Sequence, residues 1–272
     1  MILTRIQVEG RAQWCLNDVP LPNQLQLSDL MEMNCREMMV LLDSFSGGDR
    51  VQGEFLAPID PQQEVWAAGV TYQRSREARR EESGISDIYD LVYQAERPEL
   101  FFKALGWRVV GDGGAIRVRG DSSWNVPEPE LVLVVNKFGE IIGYTAGNDV
   151  SSRQIEGENP LYLPQAKVYR GSCAIGPGIQ LCSSREMLNL PIQMSIQRAG
   201  RLIYQEAAST ASLKRDLHEL VRALTLELDF PQGVFLMTGT CLVPGEEFTL
   251  MGGDFVKITV GNLLLGNAVS EE

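Results

Sequence analysis

Residues 127–153 read PEPELVLVVNKFGEIIGYTAGNDVSSR and contain two apolar runs that carry acidic residues at their outer ends. Glu128 and Glu130 are two residues apart, a spacing that puts both side chains on one face of a strand. Like charges side by side destabilise a sheet unless something offsets them, and a divalent cation does so directly. Pro129 indicates the start of a strand or a sheet edge, where a missing backbone donor is tolerated. The alternative is a solvated acidic edge that binds no metal.

The turn at residues 136–139 joins the two runs into a predicted antiparallel hairpin. If Val135 pairs with Glu140, Asp149 has the same parity as Glu128 and lies diagonal to it, so three carboxylates share one face. A one-residue slip would send Asp149 to the other face, and Asp149 alternatively lies just past the strand end. Three carboxylates form an oxygen-ligand site that favours Mg²⁺, with Mn²⁺ next and Ca²⁺ as a further option.

Composition excludes several classes of protein. The chain has 272 residues with 44% apolar and 22% charged residues, which are ordinary values for a globular protein. Its net charge of −12 argues against nucleic-acid and anionic membrane partners. No apolar run approaches the ~20 residues that span a bilayer, and the first residues lack the apolar segment of a secretion signal. Five scattered cysteines and a single histidine, His218, argue against a zinc site and favour a cytoplasmic location.

The fold class predicted from the pattern is α+β and mainly β. Residues 1–62 are predicted to form a small N-terminal α+β domain, with a strand over residues 2–8 and a helix over residues 28–43. Residues 63–272 are predicted to form a second, catalytic domain of short strands separated by Gly, Pro, Asn and Asp, with one helix over residues 212–226. A densely charged helix is predicted over residues 74–82, and a solvated surface helix is its favoured interpretation.

Other candidate residues are individually ambiguous. Lys167 lies between apolar residues and is either an exposed strand residue, which the pattern alone favours, or a buried and activated amine. Glu99 is either a surface acid or a site residue. The Thr238-Gly239-Thr240 segment is either a plain turn or a close backbone approach to a ligand. We interpret His218 as structural.

Five motifs together resemble the fumarylacetoacetate hydrolase superfamily over about residues 63–262. They are Ala68-Gly-Val-Thr-Tyr72, Pro98-Glu-Leu-Phe-Phe-Lys103, Pro127-Glu-Pro-Glu-Leu131, the run from Gly143 to Arg153, and Met237-Thr-Gly-Thr240. The resemblance implies a mixed β-roll core and a divalent metal held by three acids. By position those acids are Glu128, Glu130 and Asp149, which agrees with the hairpin prediction.

One departure from the family pattern bears on the reaction. Hydrolases of this family usually carry Asn-Tyr-x-x-His near the start of the core, whereas this chain has Thr71-Tyr72-Gln-Arg-Ser75. That segment, and the run from Ile155 to Lys167, resemble a dehydratase branch that acts on 2-keto-3-deoxy sugar acids. The resemblance implies loss of water from a 2-keto-3-deoxy pentonate such as 2-keto-3-deoxy-D-arabinonate, giving 2-oxoglutarate semialdehyde, with Glu99 and Lys167 beside the metal.

The implied mechanism is a metal-stabilised enolate. Lys167 is predicted to be the base or to stabilise the enolate, and Glu99 to be the acid–base partner for the leaving hydroxyl, although the two roles could be exchanged. The predicted substrate-binding residues are Lys103, Arg119, Asp121 and Thr240. The resemblance also implies a homo-oligomer, either a dimer or a tetramer.

The sequence is compatible with two alternative functions. The first is a metal-dependent C–C hydrolase or decarboxylase of acylpyruvate or oxaloacetate-type 2-keto acids. In that case Ser75 would need a substitute base, for example Glu77, and residues 74–82 could form a lid. The second is a non-enzymatic binding module, against which the complete acid set and Lys167 argue.

Overall fold

The computed structural model describes residues 1–45, 47–72 and 91–270. The strands are β1 Ile2–Val8, β2 Arg11–Leu16, β3 Val19–Pro20, β4 Glu54–Leu56, β5 Glu64–Gly69, β6 Glu99–Leu105, β7 Ala115–Arg117, β8 Asn125–Val126, β9 Pro129–Val135, β10 Ile141–Asp149, β11 Ser151–Ser152, β12 Cys173–Leu181, β13 Pro191–Arg198, β14 Arg201–Ser209, β15 Val234–Thr240, β16 Phe255–Val260 and β17 Leu263–Ser270. The α-helices are α1 Leu27–Met31, α2 Cys35–Asp43, α3 Arg153–Glu158, α4 Leu163–Lys167 and α5 Leu217–Leu224. The charged helix predicted over residues 74–82 lies outside the described residues.

The described strands form two large mixed sheets and a small two-stranded sheet in which β8 pairs with β11. The larger has the order β3-β2-β1-β12-β10-β9-β15-β5-β6, with β4 paired to β1, and the smaller has the order β14-β13-β16-β17-β7. β15 pairs with β5 in parallel and β17 pairs with β7 in parallel, while the other pairs are antiparallel. The predicted α+β, mainly β class with a mixed β-roll core is confirmed by this arrangement and by the structural relatives described below.

Strand β9 lies in the middle of the larger sheet and has buried residues on both faces. Leu131, Leu133 and Val135 belong to an apolar cluster shared with the smaller sheet. Val132 and Val134 belong to a second cluster, which includes the apolar side chains of α1 and α2. This burial on both faces explains the continuous Leu-Val-Leu-Val-Val run, since a strand with one solvated face would alternate with polar residues.

The N-terminal segment contributes strands to the same large sheet. β1 pairs with β12, with Ile2 opposite Gln180. The predicted boundary at residue 62 therefore falls between β4 and β5 of one hydrogen-bonded sheet. The division into domains 1–62 and 63–272 stays a prediction.

The helix predicted over residues 28–43 is wrong in its extent, because the chain forms two helices there. The Asn34 side chain accepts the N–H of Glu37 at 2.9 Å, and the Glu37 carboxylate accepts the N–H of Asn34 at 3.3 Å. This reciprocal pair is a capping box that starts α2 anew. Similarly, the helix predicted over residues 212–226 is shorter, because the Asp216 carboxylate caps α5 at its first turn.

Glu140 connects α2 to the turn between β9 and β10. Its Oε2 accepts the N–H of Cys35 at 2.8 Å and the side-chain amide of Asn136 at 2.7 Å. These hydrogen bonds, that of Asn136 first, lower the pKa of Glu140 below its usual value. A carboxylate at the first residue of a helix also interacts favourably with the helix dipole.

Candidate metal centre and active site

The register between β9 and β10 places the three predicted metal ligands together. Val135 pairs with Ile141, not with Glu140 as predicted, and a bulge then places Gly143 opposite Val134. Each of these two steps shifts the register by one residue. The total shift of two residues keeps Asp149 on the same face as the glutamates, because side chains alternate with a period of two.

Asp149 lies directly opposite Glu128, not diagonal to it as predicted. Its N–H donates to the Glu128 carbonyl at 3.0 Å, and the next pair on the same face, two residues along, is Gly147 with Glu130. Asp149 is the last residue of β10, so the alternative in which it follows the strand end is wrong.

The three carboxylates converge in a buried cluster. One ligand oxygen from each of Glu128, Glu130 and Asp149 lies within 4.8 Å of the others, and each residue is at most 3% exposed. Burial raises the pKa of Glu130 well above its usual value, and the charges of Asp149 and Glu128 raise it further. A cluster of three carboxylate oxygens is a donor set of the kind that Mg²⁺ and Mn²⁺ prefer, so these residues fit a divalent metal.

Lys167 is buried beside this cluster, in contrast to the exposed position that its sequence context favours. It is the last residue of α4 and is 1% exposed. Its Nζ donates to Glu128 at 2.5 Å, Asp149 at 2.9 Å and the Ser151 hydroxyl at 2.6 Å. The ammonium group therefore balances part of the negative charge of the acid cluster.

Two further buried cations, Arg153 and Lys103, form ion pairs with the acids. The Arg153 guanidinium lies 2.5 Å from Glu128 and 3.1 Å from Glu156. Lys103 forms an ion pair with Asp149 and also donates to the backbone carbonyls of Val150 and Lys167. Because buried charges are costly unless they are paired, these cations hold the carboxylates in fixed positions.

A small cavity opens onto the cluster. Besides the three carboxylates and Lys167, it is lined by Ala68, Gly69, Val70, Phe101, Gly239 and Thr240. Val70 has a φ of 51°, which is strained for a β-branched residue. Strained backbone of this kind recurs at functional sites, where the surrounding structure holds it in place.

The Thr238-Gly239-Thr240 segment approaches the cluster through its backbone. The Gly239 N–H donates to the Glu130 carboxylate at 2.6 Å. The Thr240 hydroxyl donates to the Pro129 carbonyl at 3.0 Å. The segment is therefore part of the cavity wall, which favours the interpretation as a close backbone approach to a ligand, and that interpretation stays a prediction.

The remaining predicted residues, Glu99, Arg119 and Asp121, are not among the residues that line the cavity. Glu99 begins β6 opposite Gly69, and a Cβ built on Gly69 would lie 1.9 Å from a Glu99 carboxylate oxygen. Arg119 forms an ion pair with Asp121 at 2.5 Å and donates to the Gln165 carbonyl at 2.8 Å. Neither Arg119 nor Asp121 lines the cavity.

Comparison with known proteins agrees with this arrangement. The family model described as the C-terminal domain of fumarylacetoacetate (FAA) hydrolase matches residues 64–269. The chain belongs to the fumarylacetoacetate hydrolase family.

Two curated relatives in this family are similar over most of the chain. A probable 2-keto-3-deoxyxylonate dehydratase of Haloferax volcanii is 52% identical over 215 residues, which are 78% of this chain and 74% of the relative. A 2-dehydro-3-deoxy-D-arabinonate dehydratase of Saccharolobus solfataricus is 45% identical over 213 residues, which are 76% of this chain and 70% of the relative.

A solved structure extends the similarity to the whole chain. It is described as 2-keto-3-deoxy-D-arabinonate dehydratase complexed with magnesium and 2,5-dioxopentanoate. It matches with a TM-score of 0.85 and 35% identity, and the match covers 100% of this chain and 99% of the other.

Two further features that the sequence singles out bear on the reaction, namely His218 and the segment around Ser75. His218 contacts the Ser184 hydroxyl at 2.9 Å and does not line the cavity, in agreement with a structural role. Ser75, which stands where the hydrolases carry histidine, lies outside the described residues, as do Glu77 and the possible lid at residues 74–82.

Two residues that contact the acid cluster or its lysine were not predicted as individual site residues, namely Arg153 and Ser151. Ser151 and Arg153 stand two and four residues after Asp149 in the motif 143–153, so their position in the chain was the available signal. Gly239 belongs to the Thr238-Gly239-Thr240 segment that the sequence singled out, and it contacts the cluster through its backbone N–H.

Proposed function

We propose that this chain is a divalent-metal-dependent dehydratase that removes water from a 2-keto-3-deoxy pentonate and gives 2-oxoglutarate semialdehyde, also named 2,5-dioxopentanoate. The observation that carries this function is the 52% identity to a probable 2-keto-3-deoxyxylonate dehydratase over 215 residues. The buried acid cluster beside Lys167 provides the groups that such a reaction needs.

The chemical structure of a 2-keto-3-deoxy pentonate limits the number of its stereoisomers. C2 of a 2-keto-3-deoxy pentonate is a keto carbon and C3 is a methylene, so C4 is its only stereocentre. Arabinonate and xylonate of one stereochemical series differ only at C2 and C3, and their 2-keto-3-deoxy derivatives are then one compound. The names of the two curated relatives are therefore compatible with a single substrate.

The metal would be held by Glu128, Glu130 and Asp149, with Mg²⁺ favoured. Such an ion acts as a Lewis acid that polarises the 2-keto group and thereby acidifies the C3 protons. Arg153 and Lys103 keep two of these carboxylates oriented through ion pairs.

The reaction balances as the loss of one water molecule. A C3 proton is removed and the C4 hydroxyl leaves with a proton, which forms a C3–C4 double bond. Proton transfer from C5 to C3 gives an enol, and its conversion to the carbonyl form yields the C5 aldehyde. The overall step needs no oxidant or reductant.

We assign the proton transfers to Lys167 and Glu99. Lys167 lines the cavity next to the acid cluster, where it can act as the base at C3 or stabilise the negative charge that develops. Glu99 lies against Gly69 at the cavity wall and is the proposed acid–base partner for the C4 hydroxyl. The two assignments can be exchanged without altering the proposed overall reaction.

The predicted substrate-binding residues differ in their position relative to the cavity. Thr240 lines the cavity and is placed to contact the substrate. The proposed roles of Arg119 and Asp121 stay predictions, since both lie outside the cavity lining. For Lys103, the contacts with Asp149 and two backbone carbonyls favour a positioning role over the predicted contact with the substrate.

A turnover assay tests the proposal. The protein is incubated with Mg²⁺ and racemic 2-keto-3-deoxy pentonate, and 2,5-dioxopentanoate is trapped as a hydrazone and measured by mass spectrometry. We expect product from one C4 isomer, loss of product with EDTA, and loss of product in Lys167→Met. Failure to form the aldehyde, together with cleavage of an acylpyruvate, would favour the hydrolase alternative.

We also propose that the protein is a homo-oligomer and is located in the cytoplasm. All five cysteines are free, which suits a reducing compartment. Within the described ranges, no helix has the length and apolarity to cross a membrane. Light scattering would measure the oligomeric state directly.

A further inference from the structure

Strand β15 carries a bulge next to the acid cluster. Met237 pairs with Val132, but the next pair joins Thr240 to Glu130, so Thr238 and Gly239 together lie opposite one residue of β9. Gly239 has a φ of 93°, a conformation that favours glycine. The bulge turns the Gly239 N–H toward the Glu130 carboxylate, to which it donates at 2.6 Å.

Thr71 fixes this bulge from the neighbouring loop. Its hydroxyl donates to the Thr238 carbonyl at 2.6 Å, and the residue is fully buried. The contact is close, since a Cβ built on Gly239 would lie 2.0 Å from the Thr71 hydroxyl oxygen. The hydroxyl therefore contacts the same peptide unit, Thr238–Gly239, whose N–H binds Glu130.

Thr71 is itself held in place by its backbone. Its carbonyl accepts the N–H of Lys214 at 3.1 Å, and the next residue, Tyr72, forms a β-bridge with Leu213. Thr71 does not line the cavity, whereas the preceding Val70 does. It can therefore act on the site only through the groups that it contacts.

From these contacts we infer that Thr71 is a positioning residue for the metal ligand Glu130. Its hydroxyl sets the orientation of the Thr238–Gly239 peptide, and the peptide N–H in turn fixes the Glu130 carboxylate that the metal requires. Hydrogen bonds to metal ligands from such supporting groups commonly change metal affinity by about 10–100-fold. This inference rests on the metal site of the proposed function.

The test measures Mn²⁺ and Mg²⁺ affinity of the metal-free protein by calorimetry. Thr71→Val keeps the side-chain shape but removes the hydroxyl, and we expect it to weaken metal binding about tenfold. Thr71→Ser keeps the hydroxyl and should bind within threefold of the wild type. Thr210→Val is the matched control, because Thr210 is also buried and donates to a backbone carbonyl, that of Met187, outside the cavity lining.

A second readout reports on the bulge itself. The Gly239 amide proton, observed by NMR, should move to higher field in Thr71→Val and stay near its wild-type position in Thr71→Ser. If Thr71→Val does not fold, Thr71→Ala removes the same hydroxyl without placing a methyl group there, and both measurements apply to it unchanged.

The outcomes separate this inference from the proposed function. Unchanged metal affinity and an unchanged Gly239 shift in the folded hydroxyl-free variant would overturn the role of Thr71, as would equal weakening by Thr71→Ser. If Glu130→Gln leaves metal affinity unchanged as well, the metal site is wrong; if Glu130→Gln abolishes binding, only the role of Thr71 is wrong.

Discussion

The backbone N–H of Asp149 donates to the carbonyl of Glu128 at 3.0 Å, so the two residues lie directly opposite each other on paired chain segments. Their side chains consequently leave the sheet on one face, where that of Glu130 joins them. The strand register thus brings the three carboxylates of the metal centre together. The buried cations Lys103, Arg153 and Lys167 stabilise their negative charge.

The two glutamates of the cluster should differ in what they do for the metal-free protein. Glu128→Gln leaves Arg153 and Lys167 without a carboxylate that lies 2.5 Å from each, and we expect a loss of about 3 kcal/mol of unfolding free energy. Glu130→Gln removes a charge that burial and its acidic neighbours disfavour, so we expect a change within about 1 kcal/mol. Urea denaturation in EDTA measures the unfolding free energy of both variants. Equal destabilisation by the two substitutions would contradict the different roles expected for Glu128 and Glu130.

Sequence reasoning could predict the shared face of the three acids but not the register that produces it. The predicted Val135–Glu140 pair and the observed Gly143–Val134 pair differ by two residues in register, which preserves parity. At the bulge near Gly143, β12 approaches so closely that a Cβ on Gly143 would lie 2.3 Å from the Gln180 carbonyl oxygen. A contact between residues so distant in sequence leaves no local pattern.

The buried position of Lys167 could not be predicted from its local sequence either. An apolar context alone favoured an exposed Lys167, because lysine is rarely buried unless it is paired. Its partners, Glu128 and Asp149, come from a hairpin far away in sequence, so only the fold reveals the pairing. The resemblance to the family identified Lys167 as a candidate because it compares whole motifs and does not evaluate one side chain.

Gly239→Ala should be strongly destabilising because of a steric clash. The new Cβ would lie 2.0 Å from the Thr71 hydroxyl oxygen and 3.0 Å from the Ala68 carbonyl oxygen. Gly253→Ala is the matched control, since Gly253 has a similar φ of 86° but no atom within 4 Å of the built Cβ. We expect a loss of about 1 kcal/mol for the control and at least about 2 kcal/mol more for Gly239→Ala. Similar urea midpoints for the two variants would show that the clash is relieved.

Glu140→Gln should reduce stability in a pH-dependent way. The pKa of Glu140 is lowered in the folded protein, so its stabilising effect is present above the unfolded carboxyl pKa of about 4.3 and is lost as the pH falls through the folded value. Because the side chain is partly exposed to solvent, we expect only about 1 kcal/mol at pH 7, decreasing as the pH is lowered from 7 through the folded pKa. Urea midpoints across this range measure the effect, with the exposed Glu54→Gln as control. A stability difference between the wild type and Glu140→Gln that grows as the pH falls would contradict a lowered pKa of Glu140 in the folded protein.

Lys167→Met should make the stability of the protein more dependent on metal. In the metal-free protein the Lys167 ammonium lies between Glu128 and Asp149, and methionine keeps much of the side-chain volume but removes the charge. We expect a loss of about 3 kcal/mol of unfolding free energy in EDTA, because two buried carboxylates lose a common partner.

Saturating Mg²⁺ supplies positive charge to the same carboxylates, so it should stabilise Lys167→Met more than the wild type by at least about 1 kcal/mol. Urea denaturation with EDTA and with Mg²⁺ measures both terms, and the exposed Lys257→Met controls for the loss of a surface charge. Equal stabilisation of the variant and the wild type by Mg²⁺ would mean that the ammonium and the metal act on different carboxylates, which the 2.5 Å and 2.9 Å contacts of Lys167 argue against.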